Sequence, residues 1–392
     1  MAKVTTLSRT PLYPVVSLFS GAMGLDLGLQ AAGLHVAVAQ DIDPWAASTI
    51  RENGHLVVEG DLRAELKADA SCKTLLKPAK LRSQDVFAVV GGPPCQSFST
   101  AGHRRGTLDA RGGLVRDFSR VVEAIQPRFF VMENVKGMTS MRANPADSSS
   151  PLFMDGVCRR FRSLGYHIVF GVLDAVHYGT AQFRERFVII GSRDNEAIFL
   201  PAPTHFHMHQ SEQYRWRTLR HVIGDLQDVP GPVAKFSPKV MEYLKRVPEG
   251  GNWKSLPLNM VEAAMGGAYL SGGGKVGFYR RLSFDAPAPT LVTSPIQKAT
   301  ALCHPRELRP LSVKEYARIQ GFPDDWKISG STTECYRQIG NAVPVPLGKA
   351  IGDMLRSVAE GAYEVKSKRS RGTSVHNAMM ALKGRLTNEV TK

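Results

Sequence analysis

Apolar residues in this chain fall in short continuous runs, of a length suited to buried strands, separated by stretches with helical spacing. From Val15 the order is VVSLFSGAMGLDLGLQAAGLHVAVAQDID: an apolar run, a glycine-bearing turn, a helical stretch ending near Gly33, and a second apolar run closing at Asp41. This predicts a βαβ unit at the start. Further strand-like runs lie at residues 86–90, 129–132 and 187–190, and the first two stop just before GGPPC and Glu133-Asn134-Val135. Strands alternating with helices predict a mostly parallel sheet with helices on both faces, whose ligands bind at the carboxyl ends of the strands.

After about Ser192 the periodicity weakens. Residues 196–285 carry prolines, histidines and glycine pairs, with basic positions at Arg215, Arg217, Arg220, Lys275, Arg280 and Arg281; a smaller, irregular domain presenting loops is expected. Helical order returns at Ser312, whose spacing to Glu315 suits a capping box. The expected division is an N-terminal arm (1–11), a main α/β domain (12–195), the irregular domain (196–285), a return to the main domain (286–356) and a basic tail (357–392) with Lys366, Lys368, Arg369 and Arg371.

Composition narrows the partners. The chain has 392 residues, 43% hydrophobic and 22% charged, and no apolar run approaches the ~18–20 residues of a membrane span. The opening residues lack an apolar stretch, so an intracellular protein is expected. Fifty Lys and Arg against 35 Asp and Glu give a net charge of +15, which points to a polyanion such as nucleic acid. The five cysteines form no CxxC pair, so neither a zinc site nor a disulfide framework is supported and no metal is expected.

Three carboxyl-end turns carry the candidate chemistry. The turn Phe19-Ser20-Gly21-Ala22-Met23-Gly24 opens a helix and lets a nucleotide-like ligand approach free backbone N–H groups. Asp41, about 20 positions on, can accept bonds from two ribose hydroxyls, and Asp61 can meet an adenine amino group. No GxxxxGK stands here, which favours a nucleoside without phosphates. In Gly91-Gly92-Pro93-Pro94-Cys95 two glycines and two prolines fix a rigid turn that presents Cys95 at the end of a buried strand. Cys72, Cys158, Cys303 and Cys335 lack such a setting. Glu133 ends the next strand, and alternation puts Arg184 and Arg186 of QFRERF on one side, where they either pair with carboxylates or steady a carbonyl or phosphate.

Taken together, FSGAMGLDLG, Asp41, Gly60-Asp61, GGPPCQSFS, ENV, QFRERF, RPLSVKEYARIQGFPDDW and YRQIGNAVPVPLGKAIG resemble, in order, the blocks of the DNA (cytosine-5)-methyltransferases of bacterial restriction-modification systems. The resemblance spans nearly all of the chain except residues 196–285 and the ends; that gap is where the family keeps its target-recognition domain. It implies a Rossmann-like S-adenosylmethionine-dependent methyltransferase domain with a small irregular target-recognition domain. Cys95 would be the nucleophile at cytosine C6, Glu133 would contact N3, and Arg184 and Arg186 would orient the base. Addition at C6 makes C5 enamine-like, dividing one hard step into two. The cofactor would be held by Phe19, Ser20, Gly21, Gly24, Asp41, Ile42, Asp61, Leu62, Pro93, Leu114 and Asn341. Met23 stands where the family more usually has a second glycine, and Ile42 where some members place an aromatic.

A cytosine in duplex DNA must leave the stack to reach Cys95. Ser99, His103, Arg104 and Arg105 after the cysteine would close over double-stranded DNA, and the 196–285 region, with Arg280 and Arg281, would meet base edges and phosphates. The resemblance further implies a monomer on DNA, cytoplasmic and associated with the nucleoid, with a cognate restriction endonuclease that it does not touch. Two alternatives remain at this stage: a transfer-RNA cytosine-5 methyltransferase of the same fold, disfavoured by the absence of a Cys-Phe-Thr signature in 196–285, and an orphan or regulatory DNA methyltransferase.

Overall fold

The computed structural model describes residues 13–94, 108–144, 147, 149–194, 196–226, 231–272 and 275–362. Within them run seven strands: β1 (Pro14–Leu18), β2 (His35–Asp41), β3 (Val57–Glu59), β4 (Ala88–Gly91), β5 (Phe129–Val135), β6 (His167–Asp174) and β7 (Glu185–Ser192). They form one sheet in the order β3-β2-β1-β4-β5-β7-β6. Neighbours pair in parallel from β3 through β5, whereas β7 runs antiparallel to both β5 and β6. The mostly parallel sheet expected from the pattern is therefore present, with β3 and β6 as edge strands beyond those expected.

Alternating side chains feed two cores. On one face Val16, Leu18, Val89, Phe130 and Met132 pack with Leu62, Phe118, Val122 and Phe161 from the helices Leu62–Ala68, Leu108–Ile125 and Phe153–Ser163. On the other, Val15, Val90, Phe129 and Val131 pack with Leu25, Leu29, Leu347, Ile351 and Leu355. Strands buried on both faces read as continuous apolar runs, which is why these segments were visible in the sequence.

The second face is closed by a helix from the far end of the chain. Val345–Ala359 lies against Gly24–Ala31, and glycines make the approach possible: a Cβ on Gly28 would stand 2.4 Å from the Val345 carbonyl oxygen, and one on Gly348 would stand 2.6 Å from that of Leu25. Before it, Ser312 caps the helix Val313–Gln320 as the spacing predicts, accepting from the Glu315 N–H at 3.2 Å while its own N–H donates to Glu315 at 2.6 Å.

The 196–285 region holds short helices, Leu219–Ile223, Pro238–Leu244 and Leu258–Met265. Its small core of Phe236, Leu244, Met265 and Tyr279 is completed by Ala301 and Cys303, beyond residue 285.

Candidate active site

Strand order reverses direction between β1 and β4, and in open α/β sheets ligands bind at the carboxyl ends around such a point. Leu18 and Gly91 are register partners there, so the Phe19 turn and the Gly92-Pro93-Pro94 turn leave the sheet side by side. Gly91 in turn pairs with Met132, which brings Glu133 next to Gly92. Three segments far apart in sequence thus start from one edge.

The first segment is a left-handed turn. Phe19, Gly21 and Met23 have φ of 54°, 53° and 65°, and the space where a Gly21 side chain would stand is open. Asp41, almost buried, holds the turn: one carboxylate oxygen accepts from the Gly21 N–H at 2.8 Å and the other from the Asp43 N–H at 2.9 Å. Burial pushes its pKa up, opposed by those backbone bonds. Each oxygen keeps a second lone pair for a ribose hydroxyl. Ile42 beside it is 63% exposed, an unpaired apolar face of the kind a purine ring covers. Asp61 caps Leu62–Ala68, accepting from Arg63 N–H at 3.0 Å, and is otherwise exposed. Leu62 is buried beneath it and Leu114 is half-buried. This set, a carboxylate with free lone pairs, an open turn and an exposed apolar residue, fits an adenosine-bearing group. Gly24 is used differently: a Cβ there would stand 2.1 Å from the Val343 carbonyl oxygen, so it admits the returning C-terminal segment.

Glu133 forms the second segment. The residue is 8% exposed, and its carboxylate pairs with Arg186 Nε at 2.8 Å. Burial raises its pKa, and Arg186 and then Arg184 oppose the rise; desolvation lowers that of Arg186. A Cβ on Gly92 would sit 2.7 Å from Glu133 Oε2, so only glycine leaves this carboxylate its place. Asn134 donates from Nδ2 to the Pro93 carbonyl at 2.8 Å, tying ENV to the proline turn. A buried carboxyl whose pKa is raised by desolvation and opposed by a paired guanidinium can hold or yield a proton.

Arg184 is fully buried, and its guanidinium donates to the carbonyls of Leu291 at 2.9 Å and Gly340 at 2.6 Å. Gln182 and Gln320, both at 0% exposure, bond each other at 2.9 Å beside it. Neither glutamine was singled out in the sequence. Asn134, Gln182 and Gln320 all lie inside the blocks that drew attention, but a polar letter in a motif does not say which distant carbonyl it meets. Asn341 ends the helix Thr332–Asn341 and is exposed, while Arg337 pairs with Asp43 at 2.5 Å, linking this helix to the turn that follows Asp41.

Cys95, Ser99, His103, Arg104 and Arg105 lie outside the described residues, as do the arm before residue 13 and the tail beyond residue 362. The four described cysteines are buried. Burial pushes the thiols of Cys72 to about 12 and of Cys158 and Cys303 to about 11, which keeps them protonated and poor nucleophiles. Arg281 turns inward, donating to the Leu244 carbonyl at 3.2 Å, and Arg280 donates from Nε to the Val276 carbonyl at 3.2 Å; neither extends freely from the surface. Among the described residues no His, Cys, Asp and Glu cluster could hold a metal, and no helix is long and apolar enough to cross a membrane.

Residues 13–357 match the family described as C-5 cytosine-specific DNA methylase. The chain is 40% identical over 354 residues to Type II methyltransferase M.Sau96I of Staphylococcus aureus, covering 90% of this chain and 77% of that one. It is 38% identical over 368 residues to Type II methyltransferase M.PspPI of Psychrobacter sp. (strain TA137), covering 90% and 82%. A solved structure of a substituted Spodoptera frugiperda DNMT2 shares the fold, with a TM-score of 0.54 at 16% identity over 88% of this chain and 99% of that one.

Proposed function

The chain belongs to the C-5 cytosine-specific DNA methylase family and is a DNA cytosine-5 methyltransferase, and from that premise we propose that it methylates cytosine at C5 within a specific double-stranded site, using S-adenosylmethionine. When bound, that cofactor supplies an electrophilic methyl group on a sulfonium. The observation that carries this reading is the convergence of the Asp41-held turn, the proline turn before Cys95 and the Arg186-paired Glu133 at one sheet edge.

Each residue then has a task. Asp41 receives the ribose hydroxyls, Ile42 and Phe19 face the adenine, Asp61 accepts from its amino group, and Ser20, Gly21, Leu62, Pro93, Leu114 and Asn341 line the rest of the pocket. The Cys95 thiolate adds its electron pair to cytosine C6 while Glu133 shares its proton with N3, so that C5 becomes nucleophilic. Asp41, Ile42 and Phe19 would hold the cofactor that offers its methyl group to this activated C5, its sulfur keeping the bond electrons. Loss of the C5 proton to a base and departure of the Cys95 thiolate then restore the ring, and N3 gives its proton back. Arg186 holds Glu133 in register for this exchange. The covalent adduct makes a poor nucleophile reactive, and the base must first leave the duplex.

The relatives named above are Type II methyltransferases, which supports a modification role in a restriction-modification system. We place the enzyme on cytoplasmic DNA as a monomer, with a cognate endonuclease that acts separately. The test is bisulfite sequencing of DNA from cells expressing the chain: protected cytosines at one recurring site are expected, and none at all would overturn the reading. Offering duplex DNA and transfer RNA side by side to the purified enzyme separates the DNA substrate from an RNA one.

A further inference from the structure

The end of the helix Thr332–Asn341 poses a physical problem. Its last carbonyls lie beyond the helical ladder: that of Ile339 accepts locally from the Ala342 N–H at 3.2 Å, and the chain leaves through Ala342 in an extended conformation, φ −60° and ψ 149°, so no left-handed glycine is present to turn the chain back on the rest. Side chains from elsewhere take over. Gln320 Nε2 donates to the Ile339 carbonyl at 2.7 Å and to that of Ala342 at 3.2 Å, and Arg184 donates from Nη2 to Gly340 at 2.6 Å. The three carbonyls that bracket Asn341 are thus held by two buried side chains.

Those two side chains are themselves fixed. Gln320 Oε1 accepts from Gln182 Nε2 at 2.9 Å, and Gln182 Oε1 accepts from the Leu291 N–H at 2.8 Å and from Arg184 Nη1 at 3.4 Å. Arg184 also donates to the Leu291 carbonyl, and its own N–H donates to Asp174 at 2.8 Å. A buried guanidinium is tolerated only where acceptors compensate its charge, and the negative end of a helix suits a cation.

We propose that Gln182, Arg184 and Gln320 form a positioning knot that sets Asn341 at the cofactor site from the strand carrying Arg186, so that base-side and cofactor-side segments share one anchor. Gln320 and Gln182 are positioning residues: they touch neither base nor cofactor and act through the backbone on either side of Asn341. This rests on the proposed cofactor role of Asn341. The consequence is specific. Severing the knot loosens Asn341 and weakens cofactor binding, while the adduct chemistry at Cys95 persists once cofactor is saturating.

The experiment measures binding of S-adenosylhomocysteine to DNA-free full-length enzyme by calorimetry. Binding by the wild type tests the cofactor reading itself; the ratios among variants test the knot. Gln320→Met removes two donors and is expected to weaken binding about tenfold, the equivalent of one or two lost hydrogen bonds. Asn341→Ala is expected to weaken it comparably, and adding Gln320→Met to Asn341→Ala is expected to cost nothing further. Gln182→Met, which cuts the knot one step away and leaves Gln320 its donors, is expected to give a smaller loss and serves if Gln320→Met does not fold. Affinity within twofold of wild type in folded Gln320→Met or Gln182→Met would overturn the proposal. So would a loss in the double variant equal to the product of the single losses, because Gln320 would then act independently of Asn341.

Discussion

Asp26 offers a quantitative check on how the left-handed turn after β1 is built. It sits in the first turn of Gly24–Ala31, 1% exposed, and its carboxylate meets the Ser17 hydroxyl, which in turn accepts from Ser20 at 2.8 Å in the turn. Its Oδ1 has no partner among the described residues. Burial pushes the carboxyl from an ordinary 3.8 up to about 7, against the opposing bonds from Ser17 and its own N–H. In the unfolded chain the proton leaves near pH 4, and in the folded chain it stays to about pH 7. The stability gained by holding it is complete below about pH 4 and is lost as the pH rises to about 7. A shift of about three pH units corresponds to ~4 kcal/mol over the whole window, of which ~3 kcal/mol falls between pH 5 and pH 8. Asp26→Asn keeps the shape and cannot titrate. Guanidinium unfolding of wild type and variant at pH 5, 6, 7 and 8 is expected to show the variant gaining on wild type by about 3 kcal/mol across the range. Groups that do not interact with Asp26 cancel in that difference; Asp41, whose charge adds to the rise at Asp26, does not. A gap that stays constant with pH would refute the assignment of Asp26 as a carboxyl held protonated by burial.

Other expectations follow from single contacts. Gly92→Ala drives a methyl group against Glu133 Oε2, so methyl transfer is expected to fall at least tenfold while S-adenosylhomocysteine affinity is kept. Glu133→Gln removes the shared proton and is expected to lower kcat about 100-fold or more, read by tritiated methyl transfer, with DNA binding retained. Gly24→Ala forces Val343 away and is expected to cost about 1–3 kcal/mol in thermal unfolding, the usual cost of overpacking. With a net charge of +15, DNA affinity is expected to drop more than tenfold between about 50 and about 200 mM salt in an anisotropy titration; a flat response would deny a phosphate-neutralising surface.

The central strands were legible because burial on both faces leaves unbroken apolar runs, as in residues 15–16 and 129–132. β3 was not, being three residues at a half-exposed edge. Nor was β6, whose mixed burial follows no single period. The antiparallel course of β7 left no mark, since an apolar run reads alike in both directions. At the site, Asp41 and Glu133 stand out as acids closing apolar strands, and Arg186 as a cation just before the apolar run of β7. The buried amides of Gln182 and Gln320 do not, because partners 138 residues apart leave no local spacing. Asp26 resembles any acid in a first helical turn; only the fold, which buries it beside Ser17, removes it from water. The partnering of Arg184 with Leu291 and Gly340 likewise depends on the chain's return, which links two distant blocks.

The most direct test of the account is the identity of the product. Purified enzyme, duplex DNA and S-adenosylmethionine are incubated, the DNA is digested to nucleosides, and the products are separated by mass spectrometry against authentic standards. The account predicts 5-methyldeoxycytidine with the wild type and none with Cys95→Ala. N4-methyldeoxycytidine, N6-methyldeoxyadenosine, or 5-methyldeoxycytidine formed equally by Cys95→Ala would contradict it.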